Sequence, residues 1–151
     1  YINGTALKAT NEWELVNDDY AYGAFVFQIG KTANGGILKV SAEVSDANFS
    51  IGGNLYIDFK DATYIICTDK NLRSFQDNKA VAFYVLTTKE MELLKAKPIS
   101  SIRFKIIGNQ TVFSSKTGHF TAYNFKNSLA KILQKDYLFE TNIEVQKLFK
   151  S

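Results

Sequence analysis

Three segments of this 151-residue chain alternate apolar and polar residues with a period of two, and no other feature of the sequence constrains its fold as strongly. They lie at residues 38–44, 55–59 and 102–106. Successive side chains of a β-strand point to opposite faces. Each segment therefore predicts a strand with one apolar face on a core and one polar face in water.

Further segments, at residues 24–29, 64–67 and 81–86, are apolar at nearly every position and predict strands that are covered on both faces. Turn residues separate the segments: 34–36 suit a hairpin that needs positive φ, and 52–54, 60–61, 69–71 and 108–109 mark other turns. The connections are too short for the helical crossovers of a parallel sheet. The strands are therefore predicted to be antiparallel.

Helices are predicted at two places. Thr87 and Glu90 match a capping box, which predicts a short inserted helix at about residues 88–96 that ends before Pro98. C-terminal helices are predicted at about residues 125–150, and Thr141 with Glu144 forms another capping-box match within them. The first of these helices has an apolar stripe that needs a partner, formed by Phe125, Leu129, Ile132 and Leu133.

Together these patterns predict an α+β fold, mostly antiparallel β, in a single domain over residues 1–151. A β-sandwich-like arrangement and a curved sheet backed by the C-terminal helix both fit the patterns. Hydrophobic residues make up 46% of the chain and the net charge is only +3, so disorder and a nucleic-acid partner are not expected. The longest apolar runs are far too short for a transmembrane segment.

The segments LYIDFKD at 55–61, FYVL at 83–86, TTKEMELL at 87–94 and KPISSIRF at 97–104 resemble small exported β-domains of Gram-negative bacteria, many of which have no assigned activity. The resemblance covers about residues 54–106 and implies an exported bacterial domain, with no site residue to carry over. The chain begins at Tyr1 rather than Met, which is consistent with removal of an export signal. We therefore expect a periplasmic or secreted location, with a cytoplasmic one as the alternative.

Two side chains, Cys67 and His119, could take part in catalysis or metal binding, but each has a simpler structural interpretation. Cys67 lies in an apolar strand pattern on the same side as Ile65 and is expected to be buried and unreactive. His119, the only histidine, has no metal-ligand partners spaced near it and is expected at the surface or in a turn. The sequence therefore predicts no metal site, no cofactor and no catalytic residue around either side chain.

Carboxylates offer a weak alternative. Two pairs, Asp58 with Asp61 and Asp18 with Asp19, could in principle perform acid–base chemistry on a sugar. A calcium loop starting at Asp69 is excluded, because Ser74 replaces the required glycine and Ala80 the bidentate glutamate.

The polar faces of the three alternating strands provide the candidate binding surface. If the strands share a sheet, their outward residues form one flat, mixed-charge surface with Tyr56 as its only aromatic. These residues are Lys39, Ser41, Glu43, Tyr56, Asp58, Arg103 and Lys105. Such a surface suits a protein better than a small molecule. The sequence thus predicts a non-catalytic binding domain whose partner is a protein or a glycan, with a carbohydrate-binding module or a carboxylate-based hydrolase as alternatives.

Overall fold

A computed structural model of the protein describes residues 8–17, 25–44, 49–108, 118–124 and 139–149. These residues form ten strands and two helices. The strands are β1 (Lys8–Ala9), β2 (Trp13–Asn17), β3 (Phe25–Thr32), β4 (Gly35–Glu43), β5 (Ser50–Phe59), β6 (Tyr64–Cys67), β7 (Arg73–Gln76), β8 (Lys79–Thr87), β9 (Ile99–Ile107) and β10 (Gly118–Tyr123). The helices are α1 (Thr88–Ala96) and α2 (Thr141–Lys147). The predicted stripe of Phe125, Leu129, Ile132 and Leu133 lies outside the described residues.

All strand pairs are antiparallel, in the order β6-β5-β9-β10-β2-β3-β4-β8-β7, with β1 added beside β3. We call β6, β5, β9 and β10 the front sheet, and β3, β4, β8 and β7 the back sheet. Strand β2 joins them, because its start pairs with β3 and its end with β10. The predicted α+β class with mostly antiparallel strands is confirmed.

The core lies between the two sheets. The ring of Phe25 on β3 stacks on that of Phe104 on β9, with centroids 4.3 Å apart, and Phe104 also stacks on Phe120 at 5.8 Å. The apolar faces of the three alternating segments are buried, as predicted: Leu38, Val40, Ala42, Leu55, Ile57, Phe59, Ile102, Phe104 and Ile106. The sheets therefore pack face to face, in the manner of a sandwich.

The prediction that the uniformly apolar segments are covered on both faces is wrong at three positions. Tyr64 is 55% exposed, Ile66 45% and Val85 49%. Each lies on the outer face of its sheet. Aromatic and β-branched residues favour strands because of their shape, whether or not both faces are covered, so an apolar strand sequence need not mean two-sided burial.

The predicted hairpin between β3 and β4 is present, but its turn residues are 33–34 rather than 34–36. Thr32 pairs with Gly35, so two residues connect β3 to β4. The positive φ, 146°, is at Gly35, where a β-carbon would collide with the main-chain oxygen of Leu86 on β8. Glycine is therefore needed both for the backbone conformation and for the close approach of β8.

The glycines at 52 and 53 do not form the predicted turn before a strand. Strand β5 runs through them, with a bulge in its pairing with β9 between Gly52 and Tyr56. The amide of Gly53 donates to the Asp69 carboxylate at 3.0 Å, and the hydroxyl of Tyr84 donates to the Gly53 carbonyl at 3.0 Å. Because Tyr84 belongs to β8, the bulge ties the front sheet to the back sheet.

Helix α1 begins as its sequence predicts. The amide of Glu90 donates to the Thr87 hydroxyl at 3.1 Å, and the amide of Thr87 donates to the Glu90 carboxylate at 2.8 Å. This reciprocal pair satisfies two amides that the helix itself cannot. The buried side chains of Met91 and Leu94 attach the helix to the core.

The capping box predicted at Thr141 is wrong. Thr141 is the first residue of α2 rather than its cap, and Glu140 precedes it without a side-chain capping bond. The buried Thr141 hydroxyl instead accepts from the amide of Ile99 at 2.8 Å. The amide of Ile99, at the start of β9, is buried and needs a hydrogen-bond acceptor. The Thr141 hydroxyl therefore satisfies an amide of the sheet rather than one of the helix.

Candidate functional site

The four residues predicted to bind a partner lie on two neighbouring strands of the front sheet. Tyr56 and Asp58 are on β5, and Arg103 and Lys105 are on β9. Tyr56 lies directly opposite Arg103 across the pair. The alternating pattern places all four on the outer face, since their neighbours along each strand are buried.

The predicted surface is not continuous, however. Lys39, Ser41 and Glu43 lie on β4, which belongs to the back sheet. The expectation that the three alternating strands share one exposed face is therefore wrong, and Ser41 is in addition buried. Alternation determines which residues of a strand face outward. Because all three strands have the same alternating pattern, it does not indicate which sheet each strand belongs to.

The outer surface of the front sheet carries a cluster that we call the Tyr–Arg face. Its members are Tyr56, Asp58, Tyr64, Ile66, Arg103, Lys105 and His119. The centre of the Arg103 guanidinium lies 4.6 Å from the ring centroid of Tyr56 and 5.6 Å from that of Tyr64. The two rings are 6.2 Å apart and tilted by 58°. A cation over two aromatic rings is held by their quadrupoles as well as by packing.

Asp58 fixes the guanidinium from the other side. Nε and Nη2 of Arg103 donate to the two carboxylate oxygens of Asp58 at 2.9 and 2.8 Å. The hydroxyl of Ser101 donates to the same carboxylate at 3.0 Å. The hydrogen bonds to Asp58 raise the pKa of Arg103. This bidentate pair orients Arg103 before any partner arrives.

Tyr64 and Ile66 are members of this face that the sequence prediction missed. Both lie on β6, where Ile66 pairs with Tyr56 and Tyr64 with Asp58. The expectation that Tyr56 is the only aromatic on the surface is therefore wrong. A signal was present in the sequence: Tyr64 and Ile66 occupy alternate positions to Ile65 and Cys67, so they had to face outward if Cys67 was inward.

A shallow recess of about 240 Å³ lies beside Tyr56 and is also lined by Asn54, Arg103, His119 and Thr121. His119 is exposed, as predicted, and lies opposite Lys105 in the β9–β10 pair. Neither His119 nor Lys105 forms an ion pair with another residue that the structure describes. Phe104 and Phe120 also line the recess, which thus combines aromatic residues with several hydrogen-bonding groups.

The carboxylates proposed for acid–base chemistry are already engaged. Asp61 accepts from the hydroxyl of Thr63 and pairs with the Lys97 ammonium at 2.9 Å. These contacts, led by the Thr63 hydrogen bond, lower the pKa of Asp61 to about 2. A general acid needs a raised pKa, so Asp61 is unsuited to that role, and the carboxylate of Asp58 is occupied by the guanidinium of Arg103. Asp18 and Asp19 lie outside the described residues.

Cys67 is buried on the inner side of β6 beside Ile65, as its sequence position predicts. Burial raises the pKa of its thiol to about 12, and the charge of Glu90 adds to the effect.

We expect this thiol to react with a disulfide reagent at pH 8 much more slowly in the native protein than in denaturant, because the reactive thiolate is both scarce and covered. Absorbance of the released thiol measures the rate, and Cys67 is the only cysteine. The same reaction in guanidinium provides the control. Equal rates in the two states would contradict the buried position.

Within the described ranges, no group of three or more His, Cys, Asp or Glu side chains is placed to hold a metal ion. No helix in that part of the chain is long and apolar enough to cross a membrane. No protein-family model, curated protein or solved structure matches the chain. The candidate function therefore rests on the geometry of the Tyr–Arg face.

Proposed function

We propose that this chain is a non-catalytic binding domain that recognises a protein partner through the Tyr–Arg face, and that it acts in the periplasm or outside the cell. The location is supported by the sequence resemblance to exported β-domains. The binding role is supported by one observation above all: Tyr64 and Ile66 are about half exposed beside Tyr56 and Arg103 on an open sheet surface.

The composition of the face favours a protein. Tyrosine and arginine are enriched at protein interfaces and among the residues that dominate their binding energy. Arg103 is held by Asp58 and two rings, so little side-chain entropy remains to be lost on binding. Among the residues that the structure describes, this face is an open sheet surface rather than the deep apolar cleft that a small molecule prefers.

The edge of the front sheet supports the same conclusion. Strand β6 ends the order of paired strands in the described part of the chain. Its sequence, YIIC, contains no charge, proline or glycine. Natural proteins blunt such an edge with one of these residues or with a very short strand, and the four-residue β6 is of the second kind. Its outward side chains, Tyr64 and Ile66, extend the apolar part of the Tyr–Arg face to this edge.

A paired substitution tests the proposal. We expect Tyr64→Ala combined with Ile66→Ser to weaken binding of a partner isolated from the native host by at least about tenfold, since two interface anchors are lost. Both side chains are largely exposed, so the fold should persist. Binding is measured by calorimetry with the purified partner, and circular dichroism checks the fold.

The matched control is Val85→Ser, which removes an equally exposed apolar side chain from the back sheet. We expect this variant to bind as the parent does. If the double variant holds the partner unchanged, or if Val85→Ser weakens binding as much, the Tyr–Arg face is only a solvated surface.

A glycan is the second candidate, favoured by the recess beside Tyr56. A sugar could place its apolar face on the ring and its hydroxyls on Asn54 and His119. A glycan array distinguishes the two candidates. A sugar ligand should be lost in Tyr56→Ala and in His119→Ala but retained in the Tyr64/Ile66 variant, whose side chains do not line the recess.

A further inference from the structure

The outer surface of the back sheet contains a separate concavity. It has a volume of about 580 Å³ and is formed where β4, β8 and β7 lie side by side. Its lining includes Lys39, Leu72, Ser74, Gln76, Val81 and Phe83. This volume lies in the range of small-molecule sites. The concavity shares no residue with the Tyr–Arg face.

The floor of the concavity is apolar. Val81 is only 6% exposed, although it is not part of the core between the sheets. Half-buried Phe83 lies two residues further along β8, and its amide donates to the carbonyl of Leu72 at 2.8 Å, which brings the Leu72 segment alongside β8. These three side chains offer a ligand an apolar surface that is partly removed from water.

Lys39 lines the concavity as a cation that has no counter-ion among the described residues. It lies directly opposite Phe83 in the β4–β8 pair. Arg73 also lines the concavity, but its guanidinium is bound to the carboxylate of Asp69. An anionic group in the concavity would therefore be attracted to Lys39.

The rim provides hydrogen-bonding groups. Ser74 lies opposite Val81, and Gln76 lies at the end of β7 beyond it. Both are exposed and line the concavity. If the carboxylate of a ligand pairs with Lys39, the rest of the ligand can therefore lie over Phe83 and Val81. The side chains of Ser74 and Gln76 would then border it.

We propose that this concavity binds an organic anion with an apolar body, of which a carboxylic acid with an aromatic or aliphatic chain is the simplest form. The carboxylate pairs with the ammonium of Lys39, and the apolar body covers Phe83, Val81 and Leu72. The inference is independent of the function proposed for the Tyr–Arg face, because it rests on a different sheet and different side chains.

The test uses two probes with the same carbon skeleton, the anion 4-phenylbutyrate and the neutral 4-phenylbutan-1-ol. Amide chemical shifts of the ¹⁵N-labelled protein are followed during titration with each probe at low salt. We expect the amides of Lys39, Ser74, Val81 and Phe83 to shift together. We also expect the carboxylate to bind up to about fivefold more tightly than the alcohol, the advantage typical of an exposed ion pair.

Lys39→Met should abolish the preference for the carboxylate while retaining weak binding of both probes, because methionine keeps the apolar reach of the side chain. Lys39→Gln provides a second neutral variant if the first does not fold. Lys89→Met is the matched control, since Lys89 is an exposed lysine on α1 outside the concavity, and it should preserve the preference. The proposal is overturned if neither probe shifts these amides at about 10 mM, if both bind equally to the parent, or if Lys39→Met keeps the preference.

Discussion

Replacement of Phe104 by alanine is expected to lower the free energy of unfolding by about 3–5 kcal/mol. The Phe104 ring stacks on Phe25 of the opposite sheet and on Phe120 of the neighbouring strand. Its removal leaves a cavity in the core and removes the stacking contact between the front and back sheets. Urea denaturation followed by circular dichroism measures the change.

Phe75→Ala provides the matched control. Phe75 is 38% exposed on β7, at the edge of the back sheet, so its removal should cost less than about 1 kcal/mol. If the Phe104 variant loses no more stability than the Phe75 variant, the stacking of the two sheets around Phe104 is wrong.

Asn124→Ala is expected to lower the free energy of unfolding by about 3 kcal/mol or more. The buried Asn124 amide donates to the carbonyls of Ile99 and Phe139, both at 2.8 Å, and its oxygen accepts from the amide of Phe139 at 3.1 Å. Alanine keeps none of these bonds, so buried main-chain groups lose their partners.

Hydrogen exchange gives this prediction a second measurement. The amide of Phe139 should exchange much faster in the variant, because Asn124 is its acceptor. Asn142→Ala is the control: Asn142 is a partly exposed residue of α2, where alanine is a better helix former, so stability should be unchanged or slightly higher. A small loss of stability in Asn124→Ala, with unchanged exchange, would contradict the role of this side chain.

Asn124 also explains how the C-terminal segment is attached. It follows β10, contacts the start of β9 through Ile99 and holds Phe139, just before α2. Thr141 reinforces the attachment through its own bond to Ile99. No local sequence pattern indicates this role of Asn124, because its hydrogen bonds join residues that are distant in the chain.

Local signals were sufficient where the determining contacts are local. The capping box at Thr87 and Glu90 predicted α1 at residues 88–96, since both of its hydrogen bonds lie within one turn. The inner faces of β4, β5 and β9 also followed from alternation alone. These features depend on the period of the backbone and on residue polarity, and neither requires knowledge of a distant partner.

Strand β7 was missed because it lacks such signals, whereas β2 was missed although Trp13, Glu14 and Leu15 alternate between buried and exposed. Strand β7 has the sequence RSFQ, with no apolar alternation, and it forms by pairing with β8. The turn between them, Asp77–Asn78, has φ values of 52° and 62°. Asparagine and aspartate tolerate this conformation, so the dipeptide was the one available indication of a hairpin.

The candidate site also combines features that follow from local sequence with features that depend on tertiary structure. The sequence by itself determined that Tyr56, Asp58 and Arg103 face outward, because the residues beside them must be buried. Only the tertiary structure decided that β5 lies beside β9 and β6, which brings Tyr64 to Arg103, and that β4 belongs to the other sheet. The physical reason is that alternation specifies the face of a strand but not its neighbour. Where several strands have equivalent apolar faces, the packing of the whole core decides which strands become neighbours, and that packing depends on all strands together.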